Sequence, residues 1–287
     1  MTIAAEATFD VHEFVRRVLA EDMGSGGDVT SAATIASDAR FTAEMRCREP
    51  ITIAGLDIAG AFFRALDREV RIERVAADGD SIDAGAVLVR LEGNARAMLT
   101  AERSALNTLQ HLSGIATLTR RYVDRIEGTG AVLLDTRKTI PGLRLLDKYA
   151  ARMGGAQNHR MRLDDGVLIK DNHVAVCGSV GAAVAAAKAA ATGLQIQVEV
   201  DRIDQIEEAL AAGADRLLLD NMPPPVLRKA VALVGGRVPL EASGGVNLDT
   251  IRGIAETGVD FISVGRITQS APAVDIGLDY SLQSLPS

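Results

Sequence analysis

The sequence predicts an α/β protein in which an N-terminal α/β sandwich domain is followed by an incomplete, seven-stranded-like α/β barrel. Short alternating apolar and polar segments before residue 95 indicate the sandwich. After Gly130, apolar runs alternate repeatedly with Ala- and Leu-rich helical stretches, which is typical of a parallel sheet with helical crossovers. We expect domains at 1–117, joined by the C-terminal tail 272–287, and at 118–271.

The composition is that of an ordinary globular protein. The 287 residues are 47% hydrophobic and carry a formal net charge of -7, with 3% aromatic residues and no Trp. These values argue against a nucleic-acid binder, which would present a basic surface with stacking aromatics. No run is long enough to span a bilayer, and Met1–Phe9 lacks the basic and apolar regions of a secretory signal.

The two cysteines, Cys47 and Cys177, are far apart and show no metal-ligand or redox spacing. We interpret both as packing residues in a reducing compartment, and we expect a cytoplasmic protein.

The N-terminal half predicts a helix, a small sandwich and then a long helical region. Asp10–Ala20 has apolar residues at helical spacing behind a capping Asp10. The turn-like stretch Asp78–Gly85 resembles a lipoyl or biotinyl hairpin but lacks the modifiable lysine, so we interpret it as structural. Asn94–Glu127 reads as one or two helices, with Gly114 as a joint or close-packing point. The sandwich segments are the predicted strands Phe41–Arg46, Val70–Val75 and Val87–Leu91 and the predicted helix Leu56–Leu66.

Six apolar runs in the C-terminal half predict buried strands. They are Ala131–Leu134, Val167–Lys170, Ile196–Val200, Arg216–Leu219, Val238–Glu241 and Phe261–Val264. Almost every run ends in a potential ligand, such as Asp135, Lys170, Glu199, Asp220 or Ser243. Polar residues at many consecutive strand ends favour a barrel, because an open sheet concentrates its function at one switch point.

Cationic and hydrogen-bonding residues are concentrated in three stretches of this acidic chain: Asp135–Gly142, Asn158–Arg160 and Leu168–His173. Arg grips carboxylate or phosphate with a planar fork, whereas Lys acts as a mobile point charge. The mixture predicts a polyanionic small-molecule ligand.

Two glycine-containing loops, Glu241–Asn247 and Ile262–Arg266, follow the last two predicted strands, where barrels commonly bind phosphate. We expect close backbone approach and helix N-termini to hold the anion there. Glu199 and Asp220 end neighbouring strands and could bind ribose hydroxyls, hold Mg²⁺ bridged to pyrophosphate, or stabilise an oxocarbenium ion. They could also simply pair with Lys138 or Lys170.

Of the four histidines, His159 is the one we expect to contact a ligand, because it stands beside Arg160 in a polar loop. We expect His173 to support Lys170, and His12 and His111 to be structural or exposed.

These residues together resemble the quinolinate phosphoribosyltransferases, also called nicotinate-nucleotide pyrophosphorylases, over nearly the whole chain. The matching blocks include Gly27–Thr30, Ala101–Asn107, Leu112–Thr117, Thr136–Arg144, Lys148–Ala150, Gly154–Gly155, Asn158–Arg160, Leu168–His173, Glu199–Asp201, Leu219–Asn221 and Glu241–Gly245. The resemblance implies conversion of quinolinate and phosphoribosyl pyrophosphate to nicotinate mononucleotide, pyrophosphate and CO2, with Mg²⁺, in de novo NAD synthesis.

The resemblance also implies a role for each matching residue. Lys138, Glu199 and Asp220 would be catalytic, and the two acids would meet Mg²⁺ directly or through substrate. Quinolinate would be bound by Arg103, Thr136, Arg137, His159, Arg160 and Lys170. Phosphoribosyl pyrophosphate would be bound by Lys138, Glu199, Asp220, Ser243, Gly244, Gly245, Ser263, Val264, Gly265 and Arg266. Arg103 would reach the partner subunit's site in a homodimer, and further assembly into a hexamer stays open.

The sequence departs from the family pattern near its end. Thr268-Gln269-Ser270 stands where Thr-His-Ser is expected, and Arg266 where a small residue is common. Gln269 cannot become cationic, so we hypothesise that Arg266 supplies the charge. Two alternatives share the fold: a molybdenum-transport-associated pyrophosphorylase-like paralogue and a catalytically silent anion-binding protein.

Overall fold

The computed structural model describes residues 9–280 and divides into two compact units. The first unit contains the described residues up to Leu118, the segment Leu145–Gly154 and the described residues from Ser270 onward. The second contains Thr119–Arg144 and Gly155–Gln269. Residues 1–8, on which the signal-peptide prediction rests, and the tail end 281–287 lie outside the described range.

The first unit is built on antiparallel strands. They are β1 (Arg40–Cys47), β2 (Ile51–Thr52), β3 (Arg71–Arg74), β4 (Ser81–Ile82), β5 (Val87–Asn94) and, from the C-terminal end, β12 (Ile276–Tyr280). A four-stranded sheet has the order β12-β1-β5-β3, and β2 pairs with β4 separately. In the register of β12 on β1, Ile276 lies opposite Cys47 and Tyr280 opposite Ala43. The described part of the tail therefore completes the first sheet.

The helices counted wholly or mainly with this unit are α1 (Val11–Met23), α2 (Val29–Thr34), α3 (Leu56–Leu66), α4 (Ala95–Arg125) and α5 (Arg144–Met153). Asp10 caps α1 as predicted, by accepting a hydrogen bond from the backbone N–H of Glu13. Helix α4 is a single helix of 31 residues that passes through Gly114 without interruption. A Cβ at Gly114 would lie 2.2 Å from the carbonyl oxygen of Pro272, so this glycine is a close-packing point.

The segment Leu145–Gly154 was predicted as part of the barrel, but it belongs to the first unit. Asp147 is fully buried and its Oδ1 lies 2.8 Å from His111 Nε2. The hydroxyl of Tyr149 donates to Asp78 Oδ2 at 2.6 Å. Helical periodicity shows that α5 has an apolar face but not which core receives it, which explains the error.

The cysteine prediction was half wrong. Cys47 is buried on β1, whereas Cys177 is exposed. Cys177 ends the helix Asp171–Cys177, which has no buried residue.

The second unit contains six parallel strands, one for each apolar run of the sequence. They are β6 (Val132–Leu134), β7 (Val167–Ile169), β8 (Ile196–Val200), β9 (Arg216–Asp220), β10 (Leu240–Ser243) and β11 (Phe261–Ser263). Their order is β6-β11-β10-β9-β8-β7. Gln157 adds a single parallel bridge to Leu134, at the place of a seventh strand. Within residues 9–280 this bridge does not pair with β7, so the ring of strands stays open.

Short helices cover this sheet. They are α6 (Asp171–Cys177), α7 (Val180–Ala189), α8 (Asp204–Ala212), α9 (Pro224–Val234), α10 (Ile251–Ala255) and α11 (Arg266–Gln269). Lys138 follows β6 and Lys170 follows β7, at opposite ends of the strand order, yet both line one cavity. The sheet must therefore curve, which confirms the predicted incomplete α/β barrel. No helix in the described range is long and apolar enough to cross a membrane.

Candidate active site

A cavity of about 740 Å³ lies at the carboxyl ends of the parallel strands of the second unit. Every predicted site residue except Arg103 lines it. Seven further lining residues were given no ligand-binding role of their own from the sequence: Leu168, Asp171, Leu218, Asn221, Glu241, Val246 and Gln269. The cavity therefore joins the predicted cations, acids and glycine loops in one place.

Arg103 is the exception. It lies exposed on α4, in the part of that helix that belongs to the first unit. It does not line the cavity of its own chain.

The loop after β6 presents Thr136, Arg137 and Lys138. The hydroxyl of Thr136 accepts a hydrogen bond from the backbone N–H of Lys138 at 3.0 Å. The hydroxyl of Thr268 donates to the carbonyl of Lys138 at 2.8 Å, which ties this loop to α11. Gly265 leaves the room that Lys138 uses, since a Cβ there would lie 2.7 Å from Lys138 Cδ.

Two of the three guanidinium groups that line the cavity, those of Arg137 and Arg160, are close enough to oppose each other's charge. Burial, followed by the charge of Arg137, lowers the pKa of Arg160. The Nε of Arg137 is buried and has no hydrogen-bond partner within residues 9–280. Because buried polar groups are normally paired, an unpaired guanidinium nitrogen beside a second cation indicates a site for an anion.

Asp135 was a candidate ligand at the end of β6, but it is fully buried and serves the neighbouring loop instead. Its Oδ1 accepts from the backbone N–H of His159 at 2.8 Å, and its Oδ2 accepts from the side chain of Asn158 at 2.5 Å. Asp135 thus holds the Asn158–Arg160 loop at the rim of the barrel.

His159 uses both ring nitrogens within the protein. Its Nδ1 accepts from the backbone N–H of Arg160 at 2.8 Å, which assigns the proton of the neutral ring to Nε2. That nitrogen lies 3.4 Å from Oε2 of Glu241. His159 lines the cavity, as predicted, but its hydrogen bonds orient Arg160 and Glu241.

Glu241 is a fully buried acid in the middle of the sheet, and the sequence predicted it only as the first residue of the phosphate-binding loop Glu241–Asn247. Its Oε2 accepts from Gln197 Nε2 at 2.8 Å and lies 2.8 Å from the guanidinium of Arg216. Burial opposes its ionisation, but His159, Arg216 and Ser263 outweigh burial and lower the pKa of Glu241. The signal in the sequence was an acid following the apolar residues Val238 and Leu240, with Arg216 on a neighbouring run.

Glu199 and Asp220 lie near the ends of the paired strands β8 and β9 and both line the cavity. Oε2 of Glu199 lies 3.7 Å from Nζ of Lys170. Burial raises the pKa of Glu199, with smaller contributions from Asp220 and Asp171, against the lowering effect of Lys170. A carboxyl with a raised pKa that faces a second carboxyl in a cleft is typical of a functional site.

His173 supports Lys170, as we expected. Its Nδ1 accepts a hydrogen bond from the backbone N–H of Lys170 at 2.9 Å. This contact fixes the backbone from which the Lys170 side chain extends.

We expected helix N-termini after both glycine loops. A helix begins directly after only one of these loops. Helix α11 begins at Arg266, immediately after Gly265. Helix α10 begins only at Ile251, so the loop after β10 offers turn backbone instead. Gly244 and Gly245 have φ values of 90° and 63° there, which favour glycine.

Within residues 9–280, no group of three or more His, Cys, Asp or Glu side chains could hold a metal ion. Glu199 and Asp220 offer two carboxylates at most. This donor set suits Mg²⁺ that takes its remaining ligands from water and substrate phosphates.

Models of the quinolinate phosphoribosyl transferase family match most of the chain, the N-terminal domain at residues 28–113 and the C-terminal domain at residues 115–279. A nicotinate-nucleotide pyrophosphorylase [carboxylating] of Mycobacterium leprae is 44% identical, covering 96% of this chain and 99% of the relative. A probable nicotinate-nucleotide pyrophosphorylase [carboxylating] of Bacillus subtilis is 42% identical, covering 92% and 91%. The solved structure of the nicotinate-nucleotide pyrophosphorylase from Francisella tularensis is 42% identical, covers 94% and 96%, and superposes with a TM-score of 0.91. The chain therefore belongs to the quinolinate phosphoribosyltransferase family.

Proposed function

We propose that this chain transfers the phosphoribosyl group of phosphoribosyl pyrophosphate to the ring nitrogen of quinolinate and releases pyrophosphate and CO2. The product, nicotinate mononucleotide, is an intermediate of NAD biosynthesis. The observation that carries the proposal is one cavity that joins five cations, four carboxylates and two glycine loops. The cations are Arg137, Lys138, Arg160, Lys170 and Arg266, which suit a dicarboxylate beside a phosphorylated pyrophosphate.

We assign the quinolinate carboxylates to the side where Arg137 and Arg160 lie. The unpaired buried Nε of Arg137 and the lowered pKa of Arg160 both support an anion between these guanidinium groups. Lys170 adds a third charge, part of which the carboxylate of Glu199, 3.7 Å away, offsets. Thr136 and His159 shape this part of the cavity.

The phosphoribosyl group lies against the other strand ends. The phosphate meets the backbone of Ser243, Gly244 and Gly245 and of the Ser263–Gly265 turn, with Arg266 and Lys138 as counter-charges. Glu199 and Asp220 face the ribose. Bound Mg²⁺, held by these acids together with pyrophosphate oxygens, would neutralise charge on the leaving pyrophosphate.

The reaction requires no protein nucleophile. The pyridine nitrogen forms a bond to the anomeric carbon as the bond from that carbon to the pyrophosphate oxygen breaks. Glu199 and Asp220 stabilise the positive charge that develops on the ribose. The cationic ring then loses its adjacent carboxylate as CO2, and a proton takes its place, so the protein supplies positioning and electrostatics.

The exposed Arg103 supports a site shared between subunits. We propose a homodimer in which Arg103 of the partner subunit completes the quinolinate site. The exposed thiol of Cys177 suits a reducing compartment, and we propose the cytoplasm.

The test is nicotinate mononucleotide formation by the purified protein with phosphoribosyl pyrophosphate and Mg²⁺, run in parallel with quinolinate and with nicotinate. Product from quinolinate alone is expected. Product from neither substrate, by a protein that still binds an anion, would overturn the proposal in favour of a silent binder or a paralogue with another substrate.

A further inference from the structure

Asn221 has an unusual backbone conformation directly beside a candidate catalytic acid. Within residues 9–280, only Ala191 and Asn221 combine a side chain with positive φ, at 47° and 53°. Asn adopts this left-handed region more readily than most residues, yet it remains sparsely populated. Such conformations persist where surrounding contacts fix them, and they cluster at functional sites.

Three contacts fix Asn221 between the ends of β9 and β10. Its Nδ2 donates to Oδ2 of Asp220 at 2.6 Å. Its backbone N–H donates to the carbonyl of Ser243 at 2.9 Å. Its Oδ1 lies so close to Gly244 that a Cβ there would be 2.2 Å away. The Asn221 side chain thus bonds to the acid and packs closely against the first glycine of the adjacent loop.

The contact with Asp220 leaves that carboxylate with one occupied and one available oxygen. Oδ2 receives the Asn221 amide, whereas Oδ1 receives no hydrogen bond from the described residues. The amide therefore restrains the rotation of the carboxylate and leaves Oδ1 for a ligand. The same amide excludes any larger residue at position 244, which keeps the loop backbone open to an anion.

We propose that Asn221 is a positioning residue for phosphoribosyl pyrophosphate, one that sets the Asp220 carboxylate and the Gly244 backbone in a fixed relation to each other. The inference rests on the proposed function. A ribose and its phosphate are joined covalently, so the groups that bind them must keep a constant separation, and Asn221 bridges these two groups directly. Quinolinate, assigned to Arg137 and Arg160, makes no use of this bridge.

Replacing Asn221 by Gly removes the side-chain amide and keeps the backbone conformation, because Gly accepts positive φ without strain. We expect Asn221→Gly to keep the parental unfolding midpoint. Its Kd for phosphoribosyl pyrophosphate, measured by calorimetry with and without Mg²⁺, should rise about tenfold, because this is the usual effect of losing a hydrogen bond to a charged group. The KM for quinolinate should stay within about twofold. Ala191→Gly makes the same backbone change away from the cavity, and its Kd should be parental.

A second variant covers the case in which Asn221→Gly folds poorly. Asn221→Asp keeps the shape and the tolerance for positive φ but replaces the donor by a carboxylate that repels Asp220. It should weaken phosphoribosyl pyrophosphate binding at least as much. Parental affinity in either folded variant would overturn the inference and reduce Asn221 to a turn residue. A parent protein that binds no phosphoribosyl pyrophosphate would instead overturn the proposed function together with the inference.

Discussion

Nε2 of His159 lies 3.4 Å from Oε2 of the fully buried Glu241, and the guanidinium of Arg216 lies 2.8 Å from the same oxygen. This arrangement places an ion pair at the wall of the cavity and connects it to the loop that carries Arg160. The guanidinium of Arg216 also lies 3.9 Å from the ring centroid of Phe261.

Glu241→Gln should lower the free energy of unfolding by about 3 kcal/mol, because it leaves the charge of Arg216 buried and unpaired. Adding Arg216→Met removes that charge and should restore most of the stability. The KM for quinolinate should stay about tenfold higher in the double variant, since His159 still lacks its carboxylate partner. Denaturant unfolding and steady-state kinetics check the two parts; full recovery of both would limit Glu241 to a structural role.

Arg137→Ala and Lys170→Ala should each lower kcat/KM for quinolinate by about 100-fold or more, the scale expected for removing a charge partner from a desolvated ligand. Their melting temperatures should be parental, because strand-end cations contribute little to the core. Arg202→Ala is a suitable control, since Arg202 is an exposed cation that pairs with Asp204. A parental kcat/KM in Arg137→Ala would contradict the assigned anion site.

Most residues of this cavity could be predicted, because the apolar pattern of a strand and the polar residue that follows it are both local properties of the sequence. Each of Lys170, Glu199, Asp220 and Ser243 closes or follows an apolar run, and parallel strands bring their carboxyl ends to one edge. Because the strands are short, their predicted boundaries differ from the observed ones by one or two residues. The difference does not change which residues reach the cavity.

What the sequence could not predict depends on contacts between distant residues. The place of α5 is decided by the pairing of Asp147 with His111, which leaves no trace in local periodicity. The seventh strand is reduced to the single bridge at Gln157, too short for any pattern to report. The positive φ of Asn221 depends on its contacts with Ser243 and Gly244, on another strand.

The raised pKa of Glu199 predicts a specific pH dependence of stability. Burial raises this pKa above the ordinary value of 4.5, so the folded chain holds a proton that the unfolded chain has already lost. The contribution of Glu199 to the free energy of unfolding is therefore fully present below pH 4.5, and it is lost as the pH rises through the folded-state pKa.

Glu199→Gln should flatten that decline and raise the melting temperature at pH 7. Thermal unfolding from pH 4 upward, compared with the exposed-site control Glu127→Gln, measures it. An equal decline in the parent and in Glu199→Gln would show that another group is responsible.

Arg266 and Gln269 both line the cavity, which is consistent with Arg266 supplying the charge that Gln269 lacks. Arg266→Ala should raise the apparent KM for phosphoribosyl pyrophosphate by about tenfold and leave the KM for quinolinate unchanged. Adding Gln269→His should recover part of the loss below neutral pH, where a histidine carries charge. An unchanged KM in Arg266→Ala would remove the compensation hypothesis.

A site shared between subunits can be tested by mixing two inactive chains. Arg103→Ala keeps an intact barrel, whereas Arg137→Ala keeps an intact Arg103, so a mixed dimer of the two contains one complete site. In a two-fold symmetric dimer this should restore about half of the parental activity. Differently tagged chains allow the mixed species to be isolated and assayed against each variant alone. Mixed dimers that form but stay inactive would show that Arg103 does not complete the site of the partner subunit.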